Sequence, residues 1–105
     1  MSSLQYINSK LSDAIYTLTV DEGDARTRLA RILPEIKILS ASSFPPDLQE
    51  DFEWVKSTIQ RGVGFSPPDF PPPHKLTSIR NSTASKVIKR IVYIQDKIET
   101  QLTYK

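Results

Sequence analysis

The chain contains no cysteine, a single histidine, a single tryptophan and only 3 glycines among its 105 residues. Without cysteine there is no disulfide, no thiolate nucleophile, no zinc ribbon and no cysteine-ligated iron–sulfur cluster. His74 stands between Pro73 and Lys75 with no second imidazole at ligand spacing, so it reads as a loop residue rather than a metal ligand or general base. Three glycines are too few for a turn-dense β fold. They form no phosphate-cradling loop, and no nucleophile elbow or calcium-loop pattern is present either. No apolar run approaches the roughly 18 residues of a membrane span. The opening stretch MSSLQYINSKLSDAIYTL lacks a cationic segment leading into an apolar one, so it does not read as a secretory signal. Together these absences predict a cytoplasmic protein that is not an enzyme, needs no cofactor or metal and uses no membrane.

Proline, by contrast, is abundant at 8 residues. Hydrophobic residues make up 38% and charged residues 25%, a composition that fits a soluble globular domain rather than a disordered chain. The formal net charge of +2 hides an asymmetry. Residues 1–53 hold 5 Lys/Arg against 9 Asp/Glu, whereas residues 54–105 hold 9 against 3. Such a division suits an acidic partner, nucleic acid, or association of unlike faces.

The apolar residues recur at helical spacing. Leu4, Ile7, Leu11, Ile15 and Leu18 form one stripe, predicting a helix over about 3–19. Asp21-Glu22-Gly23-Asp24 then reads as a turn and helix start, where acidic side chains meet free N–H groups and a favourable dipole. Ala25, Leu29, Ile32, Leu33, Ile36 and Leu39 make a second stripe with Pro34 inside it. An interior proline removes a hydrogen bond and crowds the preceding turn, at a cost of about 3 kcal/mol. Because the stripe stays in phase, the expectation is one kinked helix over about 23–40.

Pro46 suits a first helical turn, and Asp47, Glu50 and Asp51 load that end with negative charge. With Leu48, Phe52, Val55 and Ile59 in phase and Gly62 as the stop, a third helix is predicted over 46–61. Residues 63–74 hold five prolines and read as an extended loop, with Phe65 and Phe70 as anchors. A last helix is expected over about 76–102 on Leu76, Ile79, Thr83, Val87, Ile91, Ile94, Ile98 and Leu102. The predicted fold is all-α: a single domain built as an antiparallel four-helix bundle, with a kinked second helix, a Pro-rich loop and a long C-terminal helix.

Few residues stand out chemically. The carboxylates Asp47, Glu50, Asp51 and Glu53 resemble an acid–base group only superficially, since helix starts favour acids anyway. Arg80-Asn81-Ser82-Thr83-Ala84-Ser85 is an unusual polar run. Some helical ribonucleases place a histidine five positions after an arginine, but Ser85 stands there and cannot serve as that base near neutral pH. Two binding readings remain. In the first, the chain is a helical protein–protein interaction or regulatory module. The long last helix overhangs its neighbours, and Ile91, Ile94, Ile98 and Leu102, with Trp54 and Tyr93 as anchors, meet a protein partner or a second copy of the chain. In the second, Arg80, Lys86, Lys89, Arg90 and Lys97 make the last helix a nucleic-acid-binding surface.

Overall fold

A computed structural model describes residues 4–20, 23–63 and 75–103. Every regular element among them is helical: α1 (Leu4–Val20), α2 (Ala25–Arg31), α3 (Leu33–Lys37), α4 (Pro46–Val63) and α5 (Asn81–Thr103), with a 3-10 turn at Ala41–Ser43. None of these helices is long and apolar enough to cross a membrane. Phe65, Phe70, His74 and the proline run lie outside the described residues, so the expected loop is described only at Val63, which is the last residue of α4.

The α1 stripe buries Ile7, Leu11, Ala14 and Leu18, with Leu4 and Ile15 packed at its margins. Gly23, at φ +114°, supplies a backbone turn that side chains resist. Asp24 then caps α2: its Oδ1 accepts from the Thr27 N–H at 3.0 Å and from the Thr27 hydroxyl at 3.1 Å.

The expected kinked helix is instead two helices. Ile32 leaves the helical path at φ −93°, ψ 3°, and its N–H reaches back three residues to Leu29 O at 3.2 Å. Pro34 falls in the first turn of α3, where its missing N–H costs nothing. The proline is therefore placed at a start rather than an interior. Ala25, Leu29, Ala30, Ile32, Leu33 and Ile36 are all buried across the break, which is why the stripe stays in phase through it.

A connector follows, held by side chains of α4. The Lys56 ammonium donates to Leu39 O at 2.7 Å and the Gln49 amide to Phe44 O at 3.0 Å. Phe44 stacks on Phe52 with ring centroids 4.2 Å apart. Pro46 opens α4 as expected, but the helix continues past Gly62 to Val63. Gly62 does not terminate it through a left-handed cap, since Gly23 holds the one positive φ among the described residues. A Cβ at Gly62 would meet Ile79 Cδ1 and Leu76 Cβ at 3.2 Å, so its role is close approach of the chain that follows.

That contact also explains why the last helix begins at Asn81 and not near 76. The Leu76 N–H donates to Arg26 O at 3.3 Å and the Ser78 N–H to Gly62 O at 3.1 Å. Residues 75–80 are thus tied to α2 and α4, with Leu76 and Ile79 buried as anchors, and helical bonding starts with Ala84 N–H to Arg80 O.

α5 packs against α1, α2 and α4 at once. Asp51 and Trp54, early in α4, lie at Arg90, while Gly62 at its end lies at Leu76 and Ile79; α4 and α5 therefore run in opposite senses. The overhanging apolar stripe expected on α5 is absent. Ile91, Ile94 and Ile98 are 1%, 0% and 0% exposed, because their spacing keeps them on the one face enclosed by the neighbouring helices. They belong to the core, and Leu102 is half-buried against it.

Candidate functional site

On the outer side of the α4–α5 contact lies a groove of about 510 Å³ lined by Asp51, Trp54, Lys86, Lys89, Arg90 and Tyr93. Its construction follows from helical spacing. Lys86, Lys89, Arg90 and Tyr93 stand at i, i+3, i+4 and i+7 of α5, so they form one polar ridge beside the buried stripe. Asp51 and Trp54 stand three residues apart on the facing side of α4 and form the other wall.

Trp54 is 37% exposed and Tyr93 47%. Each ring carries a cation: the Arg90 guanidinium lies 5.5 Å from the Trp54 ring centroid and the Lys97 ammonium 5.6 Å from that of Tyr93. At exposed sites such contacts contribute about 0.5–1 kcal/mol each. Arg90 also forms an ion pair with Asp51. This pair is partly open to water, so it orients more than it stabilises. Arg90 is thereby held against both Asp51 and Trp54. Lys86 and Lys89 have no ion-pair partner among the described residues.

The structure thus joins two sets of residues that the sequence suggested separately. Trp54 and Tyr93, read as protein anchors, and Lys86, Lys89 and Arg90, read as phosphate contacts, share one groove. Lys97 extends it by a turn. Arg80 is not part of it and lines a different cavity near the start of α5. Of the helix-start carboxylates, Asp51 is drawn into the groove, and no three metal-ligating side chains converge among the described residues.

One polar junction is not suggested by the sequence. Asp24 Oδ2 accepts from the Asn81 amide at 3.3 Å and lies 3.2 Å from the Lys75 ammonium and 3.7 Å from Arg26. The Thr27 backbone N–H, and after it Lys75, hold the Asp24 carboxyl well below the usual carboxylate range, against an opposing effect of burial. This junction fastens the start of α2 to the start of α5. Its members are up to 57 residues apart, and only the short Asp24-to-Thr27 part has a local signature.

No family matches this sequence. Neither a curated protein nor a solved structure matches it. The functional reading therefore rests on the chemistry of the chain's own surface.

Proposed function

We propose that the chain is a small helical interaction module whose α4–α5 groove receives an acidic, aromatic-accommodating segment of a partner protein. The arrangement is read as a variant of the antiparallel four-helix bundle in which α2 and α3 together take the place of the second helix. The observation that carries the functional reading is the convergence of two exposed aromatics, Trp54 and Tyr93, with Lys86 and Lys89 on one groove. Tyr and Trp offer large contact area at low conformational cost and are enriched at interfaces, while unpaired ammonium groups favour carboxylates opposite them.

Nucleic acid is the second reading, favoured by the same cations and by the sequence of positive charge along α5. The α4 wall weighs against it. Asp51 lines the groove, and Asp47, Glu50 and Glu53 give the first turns of the same helix an acidic surface, which would repel a continuous phosphate backbone. Association of two copies through Ile91, Ile94 and Ile98 would require unpacking the core.

Trp54 is the single tryptophan, so its fluorescence reports the groove directly. The test titrates wild type and a Lys86→Glu/Lys89→Glu variant with an acidic peptide containing Phe, and with mixed-sequence single-stranded RNA. Saturable peptide binding by wild type alone supports the proposal. Saturable RNA binding that falls steeply with salt, without peptide binding, transfers the groove to the nucleic-acid reading. A Trp54 signal unmoved by either probe refutes both.

A further inference from the structure

Away from the groove, a second cavity of about 590 Å³ opens between the first turn of α2, the last turn of α4 and the segment leading into α5. Three arginines from these three places line it: Arg26, Arg61 and Arg80. Among the described residues the rest of its lining is the hydroxyl residues Thr77, Ser78 and Thr83 and the apolar Ile79. Guanidinium groups repel one another, and proteins ordinarily offset such a cluster with carboxylates. Here the offset is small. Asp24 lies 3.7 Å from Arg26 but is already held by Lys75 at 3.2 Å. Neither Arg61 nor Arg80 has an ion-pair partner among the described residues.

Arg26 adds an independent sign. Among the described residues its Nε has no hydrogen-bond partner, although that atom is shielded from water on a side chain 26% exposed overall, and a shielded unpaired donor is costly unless an acceptor completes it. What would satisfy both features is an anion with several acceptor oxygens. Guanidinium forks match the geometry of phosphate oxygens and can bind them two at a time, and hydroxyls donate to the oxygens that remain.

We propose that this cavity binds the dianionic phosphate group of a small phosphate monoester, held by Arg26, Arg61 and Arg80 with hydroxyl donation from Thr77, Ser78 and Thr83. The site does not depend on the α4–α5 groove or on its partner.

The test uses the full chain, isotope-labelled, titrated with inorganic phosphate, with glycerol 3-phosphate and with chloride at matched ionic strength. Amide shifts and thermal stability are read together for wild type, Arg61→Gln, Arg80→Gln and, as a groove control, Lys89→Gln. Arg61 and Arg80 are exposed, so their variants should fold, which circular dichroism checks. The expected result is saturable binding of both phosphates, not matched by chloride, with shifts centred on residues 77–83 and on Arg26 and Arg61. Arg61→Gln and Arg80→Gln should each weaken it at least tenfold, and Lys89→Gln should leave it unchanged. Absence of saturation at matched ionic strength, wild-type affinity in both arginine variants, or shifts centred on residues 86–93 would overturn the assignment. Binding of inorganic phosphate without glycerol 3-phosphate would overturn the monoester.

Discussion

Ile94 gives the sharpest test of the packing, because a helix stripe that meets a partner and one that fills a core look alike in sequence. Its side chain is 0% exposed on a helix that touches α1, α2 and α4. Truncation to alanine removes three buried carbons and leaves a cavity that enclosing helices can close only in part. The expected cost is about 2–5 kcal/mol, a large share of the roughly 5–15 kcal/mol that a whole domain has. Ile94→Val, removing one carbon, should cost about 0.5–1.5 kcal/mol. Val92, two residues away, is 45% exposed, and Val92→Ala should stay within about 0.5 kcal/mol of wild type. Urea denaturation of the four proteins measures the differences. Thermal melts should agree, at about 4–8 °C per kcal/mol for a chain near this size. Ile94→Ala as stable as wild type, or Val92→Ala as damaging, would mean that the inner face of α5 has been assigned to the wrong residues. Ile94→Glu should then be the most severe variant of all, unfolding the chain rather than yielding a folded protein stripped of a partner.

Two further outcomes follow from the backbone. Pro34 lies in the first turn of α3, where its fixed φ restricts the unfolded chain without straining the fold, so Pro34→Ala should destabilise by about 0.4–1 kcal/mol. A gain approaching the ~3 kcal/mol of a relieved mid-helix proline, read by denaturant melts, would restore the single kinked helix. Asp24 has a folded pKa well below the ordinary value, so its ionised form stabilises the fold fully above the unfolded carboxyl's pKa of about 4. That contribution drains away as pH falls further. Asparagine caps about as well as aspartate, so Asp24→Asn should keep the helix start but flatten the fall in melting temperature between pH 5 and pH 2. Parallel curves for wild type and variant would show that the Lys75 and Thr27 contacts do not set the titration.

How much of this was legible in the sequence depends on how local the cause was. The stripe of α1 and the proline-and-acid start of α4 are written within one or two turns, and both helices lie close to where those signals put them. The break at Ile32 left no mark on the periodicity, since buried residues on both sides stay in phase. Leu76 and Ile79 continued the α5 stripe in spacing, yet Leu76 and Ser78 spend their N–H groups on Arg26 and Gly62, partners that no local pattern announces. The burial of Ile91, Ile94 and Ile98 departs from the expected overhang for a related reason. Periodicity shows that a helix has an apolar face but not how many neighbours cover it. The groove was half legible. Its cations could be placed on one side of α5, but that Trp54 would stand across from Arg90 depended on the register between two helices.

The arrangement of α5 separates stability from binding within a single helix. Its inner positions, Ala84, Val87, Ile91, Ile94 and Ile98, are committed to the core, so changes there act through folding. Lys86, Lys89 and Tyr93 lie on the outer ridge and are exposed, where most substitutions cost less than about 0.5 kcal/mol. Arg90 sits between the two roles, tied to Asp51 and Trp54 across the α4 contact. Substituting it removes a cation from the groove and at the same time frees the Trp54 face and leaves Asp51 unpaired. A loss of binding in an Arg90 variant alone would therefore be ambiguous. Loss in Lys86→Glu/Lys89→Glu with an unchanged melting temperature would not be, because neither lysine holds another side chain of the groove in place.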